Sequence, residues 1–310
     1  MAAEKKTLCD PFGRQVNSLR VSLTQRCNFQ CFFCHMEGEQ NASEEFSTEE
    51  LEQLVKVASS LGISKVKLTG GEPLLRGDIV DIVSAISPYL EEVSMTTNGL
   101  LLERYAEKLH EAGLKRVNIS LHSLDPMVFK KITGCQALED VKRGIEAAIA
   151  SKLDPVKLNM VALNGLNQLE IPRLIEFSKA HGAILQLIEF QPIQEGTETL
   201  WEDFYCDLKR VEQQLEADSA KVHVREFQRR KQYYLRDGAI VEVVRPMHNT
   251  GFCQYCTRLR VTSDGKLKPC LMRNDNLVNV LPLLKENAAT DALIKAFEEA
   301  VARRAPYWRY

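Results

Sequence analysis

The sequence lacks a charge excess of either sign. Lys and Arg total 40 and Asp and Glu total 42, which gives a formal net charge of -2. Nucleic-acid-binding domains usually carry a strong basic excess, so this balance argues against nucleic acid as a partner. Any anionic ligand must therefore be held by a local cluster of cations.

Long apolar runs are also lacking. The first seven residues, Met-Ala-Ala-Glu-Lys-Lys-Thr, do not contain the apolar core of a secretion signal. The longest uncharged stretches, such as residues 158–169, are well short of the ~20 apolar residues that cross a bilayer. We therefore expect a cytoplasmic protein with no membrane partner.

Cysteine, in contrast, is abundant, with nine residues in 310. Without a secretion signal we do not expect a disulfide framework, because reducing compartments keep thiols free and clustered cysteines there usually bind metals. Six of the nine fall into two groups of three. Cys9, Cys135 and Cys206 stand alone, and we expect them to be packing or surface residues.

Short β-branched runs alternate with amphipathic helical stretches up to about residue 190, a pattern typical of repeated βα units around a parallel sheet. The predicted strands are 19–23, 65–68, 93–96, 116–121, 156–161 and 184–190, and the predicted helices are 48–61, 79–90, 102–112, 138–150 and 168–180. Six βα units are too few for a closed eight-stranded barrel. The pattern thus predicts an α/β fold, a partial (βα)6 TIM-like barrel with its active site past the C-terminal strand ends.

The pattern changes after residue 200. A helix is predicted near 207–215, and hairpin turns are predicted at Asp237-Gly238 and Asp264-Gly265. We predict two domains, the partial barrel at 1–220 and a C-terminal region at 221–310 that carries the second group of cysteines.

The first group of cysteines, Cys27, Cys31 and Cys34, directly follows the first predicted strand. Three thiolates are one short of the four that normally saturate a 4Fe–4S cluster, so one iron is left open for a substrate or cofactor. A structural zinc site or three unrelated thiols is the alternative for this segment.

The next strand-end loop reads Thr69-Gly-Gly-Glu72-Pro73. Two adjacent glycines let the backbone approach a ligand closely, and a carboxylate beside them can receive an ammonium group. Together with the cysteine array, this segment resembles the radical S-adenosylmethionine (SAM) superfamily. The resemblance implies that the open iron binds the methionine amino and carboxylate groups of SAM, and that cleavage of SAM releases a 5′-deoxyadenosyl radical.

The second group consists of Cys253, Cys256 and Cys270. A zinc ribbon with His248 as fourth ligand is one interpretation. Arg258 and Arg260 follow directly, however, and on an extended segment they project to one face and could bind successive phosphates. A solvated strand face is the alternative for this arginine pair.

The segment from Phe252 to Leu271 closely resembles the C-terminal cluster motif of the GTP 3′,8-cyclase family of molybdenum cofactor biosynthesis. The resemblance extends from Phe12-Gly-Arg to Asn276. It implies a second 4Fe–4S cluster bound by this group of cysteines, with an open iron facing guanine. We therefore expect two 4Fe–4S clusters and a C-terminal iron–sulfur extension of the barrel.

Carried over residue by residue, the resemblance implies contacts to both small molecules. GTP is contacted by Arg20, Lys67, Thr96, Lys157, Arg258 and Arg260, and SAM by Phe33 through its backbone, Gly71 and Ser120. The implied reaction removes the 3′ hydrogen of GTP, joins that carbon to C8 and yields 3′,8-cyclo-7,8-dihydro-GTP. No side chain is expected to act as a nucleophile.

The resemblance also implies an electron donor and, downstream in the pathway, a cyclic pyranopterin monophosphate synthase, and a homodimer is expected. The chain departs from longer family members at its end, because Pro306-Tyr-Trp-Arg-Tyr310 stands where they carry Gly-Gly. We expect either a differently completed site or an altered activity.

Two other functions compete with this interpretation. A peptide-modifying radical SAM enzyme also has an auxiliary cluster, but it usually carries more than three cysteines there and does not explain Arg258 and Arg260. A non-enzymatic iron–sulfur or zinc protein does not need a Gly-Gly-Glu-Pro loop at a strand end.

Overall fold

The computed structural model describes residues 7–39, 45–193, 198–247, 249–286 and 288–307. The strands are β1 Ser18–Ser22, β2 Lys65–Thr69, β3 Glu92–Thr97, β4 Leu114–Ser120, β5 Val156–Ala162, β6 Ile184–Glu189, β7 Ser219–Val224, β8 Lys231–Leu235, β9 Ile240–Val244, β10 Arg258–Val261, β11 Lys266–Lys268 and β12 Val278–Asn279. The helices are α1 Thr48–Ser60, α2 Ile79–Ile86, α3 Leu102–Glu111, α4 Pro126–Thr133, α5 Leu138–Ala150, α6 Ile171–Ala180, α7 Glu198–Phe204, α8 Lys209–Asp218, α9 Thr250–Gln254, α10 Leu281–Lys285 and α11 Thr290–Ala302.

The strands form one sheet in the order β12-β11-β10-β1-β2-β3-β4-β5-β6-β9-β8-β7. The eight strands from β10 to β9 in this order run parallel to one another. β12 and β7 occupy the two edges, so the sheet does not close on itself. The predicted open partial (βα)6 barrel is confirmed, and two further parallel strands extend it.

The two predicted hairpins account for this extension. The turn at Asp237-Gly238 joins the antiparallel strands β8 and β9, and the turn at Asp264-Gly265 joins β10 and β11. β9 then pairs with β6, and β10 pairs with β1. The C-terminal region therefore adds strands to both sides of the barrel, and residue 220 lies within β7 of the continuous sheet.

Strand alternation directs apolar and polar side chains to opposite faces. In β1, Leu19 and Val21 are buried in the hydrophobic core, whereas Arg20 between them lines a cavity. The register places Arg20 beside Lys67 of β2 and beside Arg260 of β10. The parallel sheet thus brings cations from distant parts of the chain onto one inner face.

Helix α1 begins with a capping box, in which the Ser47 hydroxyl and the Glu50 carboxylate each accept from the other residue's backbone amide.

Cys135 and Cys206 pack against the hydrophobic core, and Cys9 is exposed. In the described ranges, no helix combines the length and apolarity needed to cross a membrane.

Candidate active site

A cavity runs along the inner face of the barrel and encloses about 2390 Å³ of space between atoms, its open mouth included. The part of this space that can hold the centre of a water-sized sphere is about 380 Å³, which lies within the ~300–1,000 Å³ usual for small-molecule pockets. The residues predicted from sequence to bind metal, SAM or GTP all line it: Arg20, Cys27, Cys31, Phe33, Cys34, Lys67, Gly71, Thr96, Ser120, Lys157, Cys253, Cys256, Arg258, Arg260 and Cys270.

The cavity wall is strongly basic. Eleven Lys and Arg residues line it, against two glutamates, Glu37 and Glu189. Because the whole chain is nearly neutral, this is the local cluster of cations that an anionic ligand requires.

The first group of cysteines lies on the loop after β1. The Phe29 amide donates to Cys27 Sγ and the Met36 amide donates to Cys34 Sγ, both at 3.4 Å. Burial raises the pKa of the Cys31 thiol to about 12, and the nearby Cys34 and Cys27 add to this shift. Three mutually close thiols on one cavity wall fit a 4Fe–4S cluster, whose iron would stabilise the thiolates.

Two glycines hold this loop against the loop after β2. The Gly71 amide donates to the Thr24 carbonyl oxygen at 2.7 Å. A Cβ at Gly71 would lie 2.2 Å from the Arg26 carbonyl oxygen, and one at Gly70 would lie 2.5 Å from that of Thr24. Glycine is therefore required here for the approach of one backbone to another, directly before Cys27.

Glu72 lies elsewhere than its place directly after Gly70 and Gly71 suggests. It is fully buried, and its carboxylate accepts from Thr97 Oγ1 at 2.7 Å, the Asn98 amide at 2.7 Å and the Leu74 amide at 3.0 Å. The expectation that this carboxylate receives an ammonium group is not met, because it does not line the cavity and already has three donors. Glu72 instead fixes the loops after β2 and β3 to each other.

The second group of cysteines is held by two arginines that sequence analysis missed. Arg14 Nη1 donates to the Cys253 carbonyl oxygen at 2.9 Å, and Arg304 Nη2 donates to that of Cys256 at 2.6 Å. Asp10 pairs with Arg14 at 2.6 Å and lies 3.0 Å from Arg304 Nη1. Segments from both ends of the described chain thereby fix the loop that carries two of the three thiols.

The electrostatic environment differs between the two groups. Burial alone would raise the pKa of the Cys256 thiol, but the nearby Arg304 and the Arg258 amide and side chain lower it below its ordinary value. Gln228 Nε2 also lies 3.8 Å from Cys256 Sγ. An electropositive site with three thiols fits a cluster. His248, the alternative zinc ligand, lies outside the described residues.

No three His, Cys, Asp or Glu side chains of the described residues converge on one point as ligands of a single metal ion. In a 4Fe–4S cluster each thiolate binds a different iron, so the three thiols of one group need not converge on a single point. Each group supplies three thiols to the same cavity, and a 4Fe–4S cluster held by three thiolates would have one iron position left for a small molecule.

Three of the five predicted phosphate-binding cations already pair with glutamates. Arg20 and Arg260 both contact Glu37, at 2.5 and 2.6 Å. Lys157 Nζ lies 2.5 Å from Glu242, a fully buried carboxylate behind the cavity wall. Burial lowers the pKa of Lys157 to about 8 against the opposing effect of Glu242.

The other two cations have no carboxylate partner among the described residues. Arg258 Nε is buried without a hydrogen-bond partner, and its guanidinium stacks 4.7 Å from the Phe227 ring centroid. Lys67 Nζ donates to Asn118 Oδ1 at 2.6 Å. Burial and neighbouring cations lower the pKa of both groups well below the ordinary value. Such uncompensated buried charge is the environment that a bound polyanion would stabilise.

The remaining predicted residues lie at strand ends and on the loop that carries the first group of cysteines. Thr96 near the end of β3 pairs in register with Asn118, and Ser120 ends β4. Phe33 packs edge-on against His122, with ring centroids 4.9 Å apart. Burial lowers the pKa of His122 to about 4, so this ring is neutral at physiological pH.

Sequence comparisons cover both halves of the chain. Residues 21–178 match the Radical SAM superfamily, and residues 183–310 match the family Molybdenum Cofactor Synthesis C. A relative from Thermococcus kodakarensis, named probable GTP 3′,8-cyclase, is 51% identical in an alignment of 307 positions that covers 97% of this chain and 100% of the relative. The chain belongs to the GTP 3′,8-cyclase family. A family member of the same name from Methanothermobacter thermautotrophicus is 48% identical over 96% of this chain and 98% of its own.

Solved structures outside the GTP 3′,8-cyclase family share the fold. Streptococcus suis SuiB bound to its precursor peptide SuiA aligns with a TM-score of 0.66 and 17% identity, over 91% of this chain and 66% of that chain. The protein anSMEcpe with bound AdoMet aligns with a TM-score of 0.60 and 17% identity, over 90% of this chain and 82% of that chain. At this identity the likeness shows the fold alone.

Proposed function

We propose that this protein is a radical SAM GTP 3′,8-cyclase, which converts GTP to 3′,8-cyclo-7,8-dihydro-GTP in the first step of molybdenum cofactor biosynthesis. The family relationship supports this assignment. The observation that carries it is the cavity itself, which both groups of three cysteines line together with Arg258 and Lys67, two partly buried cations that have no carboxylate partner among the described residues. A peptide substrate would not require that charge.

We infer that Cys27, Cys31 and Cys34 hold the cluster that binds SAM. When bound, this cluster and SAM together supply the 5′-deoxyadenosyl radical that removes hydrogen from a substrate. The Phe33 backbone, Gly71 and Ser120 would contact SAM. The absence of a side chain at Gly71 supports this placement, because the loop backbone forms the cavity wall at that point.

We infer that the triphosphate of GTP binds the cations between the two cysteine groups. Arg258 and Lys67 would each gain a compensating charge, and Arg20, Arg260 and Lys157 would contribute further donors. A hydrogen bond to a charged group contributes about 1.5–3 kcal/mol, so several such contacts suffice for micromolar affinity. Thr96 would add a hydroxyl donor from β3.

We infer a second 4Fe–4S cluster at Cys253, Cys256 and Cys270, with its open iron toward the guanine base. Arg258 and Arg260 lie on β10, and Arg258 follows Cys256 by two residues. Phosphates held by these arginines would therefore lie close to this cluster. Fixing both ends of GTP would bring its ribose and C8 together, and the enclosing barrel would exclude water from the radical reaction.

The proposed activity requires an electron donor, since cleavage of SAM and the final reduction each consume an electron. Its product would pass to cyclic pyranopterin monophosphate synthase. We propose that the barrel at 1–220 and the cluster-bearing region at 221–310 differ in their roles, although both contribute strands to one sheet. A homodimer stays a prediction, which light scattering of the purified protein tests.

Product analysis tests the proposed function. The anaerobically reconstituted protein is incubated with GTP, SAM and a reductant, and the products are identified by mass spectrometry. Wild type should form 5′-deoxyadenosine and cyclised GTP. Cys31→Ala should form neither, whereas Cys270→Ala should mainly lose cyclisation. Normal cyclisation by Cys270→Ala would refute the substrate role of the second cluster.

A further inference from the structure

Glu37 lies on the cavity wall between two arginines that come from opposite parts of the chain. We infer that Glu37 is a positioning residue, which holds Arg20 and Arg260 side by side so that both present their remaining N–H groups to the triphosphate. This inference rests on the proposed function of the cavity as a GTP site. Nothing in the sequence around Glu37 marks it, because its partners follow only from the fold.

The contacts of Glu37 use both carboxylate oxygens. Oε1 accepts from Arg20 Nη2 at 2.5 Å and from Thr69 Oγ1 at 3.1 Å. Oε2 accepts from Arg260 Nη1 at 2.6 Å and from Arg20 Nε at 3.0 Å. Glu37 is 6% exposed, so these bonds are shielded from water. The charges of Arg20 and Arg260 hold the pKa of Glu37 below its ordinary range despite its burial.

The pairing leaves part of each guanidinium group for a ligand. Arg20 turns its Nε and Nη2 edge to Glu37, and Arg260 contributes only Nη1. Within the described residues, no hydrogen bond involves Arg20 Nη1 or Arg260 Nη2. Two guanidinium groups at one buried site repel each other, and a carboxylate between them offsets that repulsion. Glu37 thus keeps the two remaining donor sets close together.

The turn that carries Glu37 is itself held by contacts of the two residues that follow it. Met36 and Glu37 have positive φ values of 45° and 53°, which is unusual for residues other than glycine and requires support from surrounding contacts. Lys268 Nζ donates to the Gly38 carbonyl oxygen at 2.7 Å, and the Ser263 hydroxyl donates to Glu39 Oε2 at 2.6 Å. A carboxylate delivered by such a turn is suited to hold a fixed geometry.

An alternative role for Glu37 is that of a counter-ion, which the triphosphate displaces from the two arginines when it binds. The two roles predict opposite effects of Glu37→Gln. If Glu37 is displaced, removing its negative charge tightens binding of an anion. If Glu37 positions the arginines, the same change weakens binding, because a neutral amide carries donors on one side and cannot accept from both guanidinium groups.

The experiment measures binding of inorganic tripolyphosphate by anaerobic calorimetry, on reconstituted protein at fixed ionic strength. Glu37→Gln should weaken binding roughly tenfold, which corresponds to about 1.4 kcal/mol. Glu189→Gln is the matched control: it removes the same charge from the same cavity, but Glu189 accepts from Tyr205 and the Met247 amide and, in the part of the chain that the structure describes, from no arginine. The control should bind tripolyphosphate at least as tightly as wild type.

Equal or tighter binding by Glu37→Gln would overturn the positioning role, and GTP cyclisation by wild type would show that the proposed function stands. Wild type that binds neither GTP nor tripolyphosphate would overturn both. If Glu37→Gln loses iron, Glu37→Asp replaces it. The shorter carboxylate keeps the charge but cannot reach both arginines, so weaker binding is again expected and unchanged binding overturns the inference.

A purely structural role for Glu37 is distinguished by a double-mutant cycle. If Glu37 acts through Arg260, Glu37→Gln should weaken tripolyphosphate binding less in an Arg260→Lys background than in wild type. Formation of 5′-deoxyadenosine should be retained, because the proposed SAM contacts at Phe33, Gly71 and Ser120 do not include these arginines. Equal weakening in both backgrounds would contradict action through Arg260.

Discussion

The backbone of Gly71 lies directly against that of Arg26, so that a Cβ at position 71 would meet the Arg26 carbonyl oxygen at 2.2 Å. No real side chain tolerates that distance, and backbone on both sides must move. Because Arg26 immediately precedes Cys27, the movement would be transmitted to the first group of cysteines.

Gly71→Ala should therefore strongly reduce 5′-deoxyadenosine formation. The matched control is Gly77→Ala, since a Cβ at Gly77 has no heavy atom within 4 Å and that residue does not line the cavity. The measurement is 5′-deoxyadenosine per iron in anaerobic assays. Wild-type rates in Gly71→Ala would contradict the close packing of these loops.

Local pattern predicted the barrel well. The helix predicted at 138–150 has those bounds, and the strand predicted at 156–161 extends one residue further. The pairing of β1 with β10 was not predictable in the same way, because Leu19 and its partner Leu259 are 240 residues apart and nothing local specifies their contact. Short sequence patterns determine elements, whereas the order of edge strands depends on the packing of the whole chain.

The candidate site shows the same distinction. The cysteines can be recognised by their spacing, and so can the pair of Arg258 and Arg260. Metal binding explains the first spacing directly, and phosphate binding explains the second. Glu37 and Arg304 do not stand out, because each acts through contacts that only the fold creates, such as that of Arg304 with the Cys256 carbonyl oxygen. An isolated charged residue gives no signal in a single sequence.

Metal content tests the two groups of cysteines. Each group supplies three thiols, so anaerobically reconstituted protein should contain about eight irons per chain. Changing Cys27, Cys31 and Cys34 together to Ala should leave about four. Iron and zinc are measured by elemental analysis, and stoichiometric zinc retained by the triple variant would favour a zinc ribbon at the second group.

The buried His122 predicts a pH dependence of stability. Burial lowers its pKa from 6.5 to about 4, so between these values the unfolded chain binds a proton that the folded protein does not. The free energy of unfolding should therefore fall as the pH falls from about 6.5 to about 4.

His122→Asn should reduce this pH dependence, because its Oδ1 can still accept from the Val161 amide but does not titrate. Denaturant unfolding at several pH values and matched iron content measures the effect. A part of the slope should remain, since burial also lowers the pKa of His35 to about 4. An unchanged slope in His122→Asn would show that folding does not lower the pKa of His122.

Arg258 and Arg260 test the phosphate contacts. Each Arg→Ala change should cost about 1.5–3 kcal/mol, very roughly a ten- to hundredfold loss of GTP affinity. The loss should be much smaller for guanosine, which has no phosphates. Calorimetry with both ligands at fixed ionic strength gives the comparison. Equal weakening of GTP and guanosine at unchanged iron content would assign these arginines to the base or the fold.

The central claim, hydrogen removal from the 3′ carbon of GTP, is tested most directly by isotope transfer. GTP that carries deuterium at the 3′ carbon is incubated anaerobically with the reconstituted protein, SAM and a reductant, and the mass of the released 5′-deoxyadenosine is measured. The released 5′-deoxyadenosine should be one mass unit heavier, and the cyclised GTP should have lost the 3′ deuterium. Unlabelled 5′-deoxyadenosine alongside unchanged GTP would contradict it.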